Sequence, residues 1–164
     1  MKLIEIKGLF EMDYGSPSPI IISNDNELFI AFYGDKERLT NQPHERNIIY
    51  DTGIFALKFK AYLKYTFGLP GNETIKRHPY SKLGMKSSSF YELQNSNLIK
   101  ELQEIEKGHP YYEPNKWNSY KHYILTFHDN IFECIAQDFE IRAENLSLYN
   151  QAATMLNELS VNHF

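Results

Sequence analysis

Three residues of one short segment, His128, Asp129 and Glu133, have side chains suited to acid–base or metal chemistry. An imidazole near carboxylates can act as a general base or bind a metal ion jointly with them. His122 lies in the same segment, but the strand rise separates it from His128 by roughly 20 Å, so these two rings cannot ligate one ion together. The sequence supports an enzyme hypothesis on His128, Asp129 and Glu133. The structural alternative, which we favour, makes Asp129 a turn residue and Glu133 a solvent-facing strand residue.

The sequence His-Pro-Tyr occurs twice, at His78-Pro79-Tyr80 and at His109-Pro110-Tyr111. Proline fixes its own φ angle and favours an extended residue before it, so each motif presents its rings in a defined way on a loop. Together with His128 they could form a three-histidine metal site, but the spacing matches no metal signature. We favour loop anchoring by packing of the tyrosines, and we expect neither a metal nor a cofactor. The chain also lacks a phosphate-binding glycine loop, a nucleophile elbow and a His-Glu-x-x-His helix.

The segment HYILTFHDNIFECIAQDFEI, residues 122–141, is typical of a β-hairpin with a two-residue turn at Asp129 and Asn130. That turn pairs Thr126 with Glu133. One face of the hairpin is then apolar and the other mixed. The apolar face comprises Tyr123, Leu125, Phe127, Phe132, Cys134 and Ala136, and the mixed face comprises His122, Ile124, Thr126, His128, Ile131, Glu133 and Ile135.

Basic residues are concentrated near an alternating run, LKFKAYLKYTF at 57–67. Its polar face holds Lys58, Lys60, Tyr62 and Lys64. Residues 57–86 contain seven Lys or Arg and one Glu, whereas 129–164 contain one Arg and six Asp or Glu. Lysines on a strand can contact nucleic acid, protect a sheet edge from aggregation, or face an acidic partner. We favour the last two, since the net charge of -4 argues against nucleic acid.

The chain of 164 residues, 42% of them hydrophobic, predicts one domain over residues 1–164. Strands are expected over 2–10, twice within 19–34, and near Ile48 after a loop at 35–47. A helix capped by Asn95 or Ser96 should end near residue 107, and a second should span about 144–159. The predicted fold class is α+β: an antiparallel β-sheet with two helices packed on it. A lone core cysteine, Cys134, and the absence of a signal-peptide or membrane-spanning pattern predict a cytoplasmic protein.

Four stretches carry a resemblance: GLPGNETIKRHPYSKLGM, FYELQNSNLIKEL, GHPYY and KHYILTFHDNIFECIA, within about residues 68–136. They resemble a group of small uncharacterised bacterial proteins in which Asn-x-Glu, His-Pro, Asn-Ser and Phe-His-Asp followed by Phe-Glu recur. The group supplies no site residue. Its single-domain, cytoplasmic character resembles that of immunity proteins encoded beside bacterial toxins, which implies a cognate toxin as the partner.

The functional expectation is a non-enzymatic protein-binding module, an immunity protein or antitoxin that blocks the active surface of a bacterial toxin. Abundant tyrosine and segregated charge favour an interface, and the acidic end of the chain could meet a basic toxin. The alternatives are a small hydrolase or metal-dependent enzyme using His128, Asp129 and Glu133, and nucleic-acid binding through the lysine strand. The predicted partner-binding residues are Asp129, Glu133, Asp138, Glu140, Glu144, Lys58, Lys60, Tyr62, Lys64, His78 and Tyr80.

Overall fold

The computed structural model describes residues 1–35, 53–144 and 146–161, so most of the predicted loop at 35–47 and the strand near Ile48 lie outside the described residues. The described ranges contain nine strands and two α-helices, with three short 3₁₀ helices at Ile75–Arg77, Pro79–Leu83 and Pro114–Ser119. None of these helices is long and apolar enough to cross a membrane. In chain order the strands are β1 Lys2–Glu5, β2 Ile20–Ser23, β3 Leu28–Tyr33, β4 Ile54–Lys60, β5 Lys64–Gly68, β6 Ser89–Gln94, β7 Lys121–Thr126, β8 Ile131–Ala136 and β9 Asp138–Glu144, and the α-helices are α1 Asn97–Glu106 and α2 Leu148–Val161.

The strands form two sheets, and the chain forms two compact units. Unit 1 comprises Met1–Ile6 and Ala61–Asp138, and unit 2 comprises Lys7–Lys60 and Phe139–Phe164. One sheet has the strand order β1-β6-β7-β8-β5, and the other has the order β2-β3-β4-β9. The predicted α+β fold, one antiparallel sheet with two helices packed on it, is therefore wrong. The protein is rich in strands and divides them between two mostly antiparallel sheets, because alternation along a strand does not specify which sheet it joins.

The predicted hairpin is present as β7 and β8, but its register differs by two residues. Thr126 faces Ile131 and Ile124 faces Glu133, and the Phe127 amide donates to the Asn130 carbonyl across the turn. The loop is therefore centred on His128 and Asp129, one residue earlier than the predicted Asp129–Asn130 turn. Because side chains alternate with period two, this slip leaves every side chain on its predicted face. The six residues of the predicted apolar face are all buried.

The mixed face of the hairpin is also buried, because unit 1 covers it with helices and loops. Ile124 and Ile131 pack with Ile75 and Met85 of the segment that follows β5. Farther along the sheet, Ile135 packs with a cluster from α1 and the 3₁₀ helix before β7: Leu98, Ile99, Leu102, Tyr112, Trp117 and Tyr120. The Ser96 hydroxyl accepts the amide N–H of Ile99 and so caps α1 at its predicted start. Apart from His128 at the turn, the polar residues of this face, His122, Thr126 and Glu133, are thus enclosed and need internal partners.

Unit 2 packs α2 on one face of its sheet. The apolar residues of this layer come from β3, β4 and α2: Phe29, Ala31, Ile54, Ala56, Leu148, Met155 and Leu159. On the opposite face of the same strands Leu28, Ile30, Phe32, Phe55, Leu57 and Phe59 are also buried. Both strands are apolar on both faces, which is why their sequences read as nearly continuous apolar runs.

The alternating lysine run does not form one strand. Ala61 has a φ angle of 49° and ends the extended conformation after Lys60. The run therefore supplies β4 to the sheet of unit 2 and β5 to the sheet of unit 1. A positive φ is unfavourable for alanine, so nothing in the residue type predicts a break at this position.

Candidate functional site

The Glu133 carboxylate is held by two histidines inside unit 1. Its Oε1 lies 3.2 Å from His78 Nε2, and its Oε2 lies 2.9 Å from His122 Nε2. His122 Nδ1 in turn lies 2.8 Å from the Ser96 hydroxyl. We refer to Ser96, His122, Glu133 and His78 as the Glu133 network. It joins α1, β7, β8 and the loop after β5 through side chains alone.

The sheet register positions His122 against Glu133. His122 faces Ile135 across the β7–β8 pair and Ile124 faces Glu133, so His122 and Glu133 are diagonal neighbours on one face. Diagonal positions of an antiparallel pair are within reach of long side chains. The His122 side chain is fully buried, so both of its ring nitrogens must find partners within the protein.

His78 reaches Glu133 from the start of the 3₁₀ helix Pro79–Leu83. Its Nδ1 accepts the amide N–H of Tyr80 at 3.2 Å, which leaves Nε2 to donate to Glu133. His122 is satisfied in the same way when the Ser96 hydroxyl donates to Nδ1 and Nε2 donates to Glu133. The Tyr80 amide assigns His78 the neutral Nε2–H form, and the partners of His122 are compatible with the same form. When both rings are neutral, every hydrogen bond of the network has a donor and an acceptor, and Glu133 carries the only charge.

The environment of Glu133 keeps its carboxyl group ionised. Burial by itself raises the pKa, but the hydrogen bonds from His122 and His78, together with the electrostatic attraction of the two rings, outweigh burial and lower the pKa from 4.5 to about 2. The carboxylate is therefore charged throughout the neutral range. It is the acceptor that compensates two imidazole N–H groups removed from water.

A serine hydroxyl, a histidine and a carboxylate linked in series also form the catalytic triad of serine hydrolases. The Ser96 residue is only 3% exposed, and its hydroxyl also accepts the first-turn amide of α1. A nucleophile must approach a substrate carbonyl, and this oxygen is enclosed at a helix terminus. The geometry suits a buried polar network that fixes the relative positions of α1, β7 and β8.

Replacing Ser96 with alanine tests this positioning role. The variant loses a helix cap and leaves buried His122 Nδ1 without a donor, so we expect the free energy of unfolding to fall by about 2 kcal/mol. Ser147 provides the matched control, because its exposed hydroxyl caps α2 through the Asn150 amide at 3.1 Å and contacts no histidine. Ser147→Ala should lose only about 1 kcal/mol. Equal losses in urea titrations of the two variants would contradict a role for Ser96 beyond the cap.

The second feature of unit 1 is a surface groove of about 440 Å³. Its walls include the rings of Tyr111, Tyr112, Trp117 and Tyr120, with Leu63 and Leu102 as aliphatic members. We call it the aromatic groove. Its volume lies within the range of sites that bind ligands or side chains.

The walls of the aromatic groove are anchored in the core of unit 1. Trp117 and Tyr120 are buried, with ring centroids 5.6 Å apart, and both pack on Ile135. The Gln103 side-chain amide of α1 donates to the Tyr112 hydroxyl at 2.9 Å. Tyr111 differs, because 86% of its surface is exposed. The groove thus combines a fixed aromatic wall with one projecting ring.

Both His-Pro-Tyr sequences form the same local turn. The amide of Tyr111 donates to His109 Nδ1 at 3.1 Å, as the amide of Tyr80 does to His78 Nδ1. The two turns differ at the other ring nitrogen, since His78 Nε2 binds Glu133 whereas His109 lines the aromatic groove. The predicted packing of the tyrosines occurs at Tyr80, which contacts the core of unit 1, but not at Tyr111, which is exposed; in both turns the imidazole accepts the amide that closes the turn.

Charged side chains also line the aromatic groove. Glu106 and Glu113 are exposed, and neither forms an ion pair with any residue in the described part of the chain. Lys116 lines the same groove and is also exposed. Two carboxylates against one ammonium group give the groove a net negative charge when His109 is neutral.

The residues of the enzyme hypothesis are not brought together. His128 Nδ1 lies 2.8 Å from Asp129 Oδ1 on the turn, and Asp129 has 81% of its side chain exposed. Glu133 binds His78 and His122 instead. The three histidines of the possible metal site also separate, because His109 lines the aromatic groove. Within residues 1–35, 53–144 and 146–161, no group of three or more His, Cys, Asp or Glu side chains could hold a metal ion.

The other predicted partner-binding residues lie on both units. In unit 2, Lys58 pairs with Glu27 at 2.6 Å, and Lys60 pairs with Glu140 at 2.7 Å. These ion pairs involve Lys58, Lys60 and Glu140, which the sequence analysis assigned to partner binding. Four of these charged residues are exposed, namely Lys60, Lys64, Asp138 and Glu140, and two are half-buried, Lys58 and Glu144. Tyr62 and Tyr80 are half-buried, with Tyr62 near Tyr65 and Tyr80 near His78.

Sequence reasoning missed His122 as a partner of Glu133, Ser96 as a partner of His122, and the aromatic groove. The predicted face assignment already placed His122 and Glu133 on one side, but the predicted register put Thr126 opposite Glu133. The groove had one signal, the aromatic density of Tyr111, Tyr112 and Trp117 around two prolines. Comparison with known proteins found no matching family model, no similar curated protein and no similar solved structure.

Proposed function

We propose that this protein is a protein-binding module that covers the surface of a partner, as an immunity protein covers a toxin, and that the aromatic groove of unit 1 is its contact surface. The observation that carries the proposal is the exposure of Tyr111 beside a fixed wall of buried rings. Tyrosine and tryptophan provide large contact areas that lose little conformational entropy on binding, and they dominate the energetics of many interfaces.

Two further features support a protein partner. Glu106 and Glu113 would repel the phosphates of a nucleic acid, whereas they are compatible with a basic protein surface. The Glu133 network, in contrast, makes its hydrogen bonds internally and offers no exposed nucleophile. The proposal places the protein in a reducing cytoplasm, because its single cysteine, Cys134, is a buried free thiol and has no partner for an intramolecular disulfide.

Binding to the protein encoded by the adjacent gene tests the proposal. Isothermal titration of that purified protein with this full chain should give saturable binding. Tyr111→Ala should weaken the affinity by about tenfold or more, because an aromatic anchor is lost from the contact surface. The matched control is Tyr149→Ala, which removes an equally projecting ring, 80% exposed, from α2 of unit 2.

The control should bind within about twofold of the original chain, since surface substitutions outside a contact patch have small effects. Absence of binding to any adjacent-gene product would overturn the proposal. Equal losses for Tyr111→Ala and Tyr149→Ala would overturn the assignment of the aromatic groove as the contact surface.

A further inference from the structure

We infer that the aromatic groove binds an arginine side chain presented by an extended segment of the partner. The inference rests on the proposed function and specifies the chemistry of the partner. Its basis is the combination of aromatic rings, unpaired carboxylates and one oriented imidazole within a single groove of about 440 Å³.

The rings supply the first part of the recognition. A guanidinium group stacks on the face of tryptophan or tyrosine and gains from both the ring quadrupole and the apolar contact. Trp117 and Tyr112 are held in place by the core cluster and by Gln103, so they need no reordering when a ligand stacks on them. Preorganised walls reduce the entropic cost of binding.

The carboxylates of the groove favour a ligand with a positive charge. Glu106 and Glu113 line the groove without an ion-pair partner in the described part of the chain, so their charges are available to a ligand. A planar guanidinium can donate two parallel hydrogen bonds to one carboxylate, which a compact ammonium group cannot do with the same geometry. Lys116 lines the same groove, but the two carboxylates outnumber it, so the groove favours a cation.

The imidazole of His109 indicates that the ligand is a peptide segment and not a free small cation. Because the Tyr111 amide donates to Nδ1, the neutral ring carries its proton on Nε2. This Nε2 has no hydrogen-bond partner among residues 1–35, 53–144 and 146–161. A backbone carbonyl next to the arginine would accept this N–H, and a free guanidinium has no such acceptor.

Trp117 is the only tryptophan of the chain, so its emission reports on the groove directly. The probe is the peptide acetyl-Gly-Ser-Leu-Arg-Leu-Ser-Gly-amide, titrated into the full chain while Trp117 fluorescence is recorded. The control peptide has citrulline, the neutral isostere, in place of arginine. We expect the arginine peptide to bind about tenfold more tightly than the citrulline peptide, as a stacked and paired cation would.

Two variants test the contribution of the carboxylates, and one truncated ligand tests the contribution of the adjacent carbonyl. Glu106→Gln with Glu113→Gln should abolish the preference for arginine over citrulline, whereas Glu73→Gln, an exposed glutamate of unit 1 outside the groove, should keep it. Arginine amide without flanking backbone should bind about tenfold more weakly than the peptide, because it lacks the adjacent carbonyl.

Equal affinity for the arginine and citrulline peptides would overturn the inference, as would arginine amide binding as tightly as the peptide. The proposed function fails separately. If the adjacent-gene product still loses affinity in Tyr111→Ala while the peptides show no selectivity, the protein-binding proposal stands and the arginine inference is wrong. Peptide selectivity without any protein partner would support the inference and contradict the proposed function.

Discussion

Replacing Glu133 with alanine is expected to lower the free energy of unfolding by about 3 kcal/mol or more, because it leaves the N–H groups of two enclosed imidazoles without an acceptor. His122 is fully buried and His78 nearly so, and water cannot easily replace the carboxylate oxygens. Urea unfolding followed by circular dichroism gives the change directly.

Glutamine at the same position should have a smaller effect than alanine. Its amide oxygen can accept from His78 while its NH₂ group donates to His122 in the other tautomer, whose Nδ1–H then donates to the Ser96 hydroxyl oxygen. Asp129→Asn is the control, since Asp129 pairs with His128 on an exposed turn and should change stability by less than about 0.5 kcal/mol. If alanine at position 133 destabilised the protein no more than the control, the buried network would not stabilise unit 1.

Stability is expected to fall as the pH is lowered from about 4.5 toward about 2, in the window between the ordinary and the folded-state pKa of Glu133. The folded-state pKa is the lower one, so the unfolded chain binds more protons in this window and acidification favours unfolding. A difference of this size corresponds to about 3 kcal/mol, fully present above the unfolded pKa. Chemical unfolding at a series of pH values measures it.

Other carboxylates also titrate between these pH values, so the comparison with Glu133→Gln isolates the contribution of this residue. The glutamine variant cannot ionise, and its stability should change less with pH across the window than that of the original chain. Above the window the two curves should run parallel. Curves that remain parallel down to acid pH would show that Glu133 has the same proton affinity in the folded and unfolded chain.

The hairpin shows which features of the fold the local sequence pattern predicts and which it does not. Alternation over 122–136 predicts correctly which residues share a face, since that depends only on the period of a strand. The partner of each residue depends on where the loop is centred, and a centre one residue earlier, at His128 and Asp129, moves the register by two. That shift brings His122 diagonal to Glu133. The faces of the sheet were therefore predictable, whereas the Glu133 network was not.

The fold class was not predictable from the lysine run for a related reason. Its alternation is continuous from β4 to β5, and the break at Ala61 uses a backbone conformation that alanine rarely adopts. Only contacts distant in sequence can stabilise such a conformation. The aromatic groove was also hidden, because Leu63, Leu102 and Trp117 are far apart in sequence and meet only after the sheet has formed.

The way the two compact units share the chain affects the order of events during synthesis. The first strand, β1, pairs with β6, whose last residue is Gln94, so the amino-terminal residues must wait for most of unit 1 to leave the ribosome. Unit 2 is completed later still, because it includes Phe139–Phe164. A chain that stops between residues 61 and 138 therefore lacks part of both units and exposes unpaired strands, which favour aggregation.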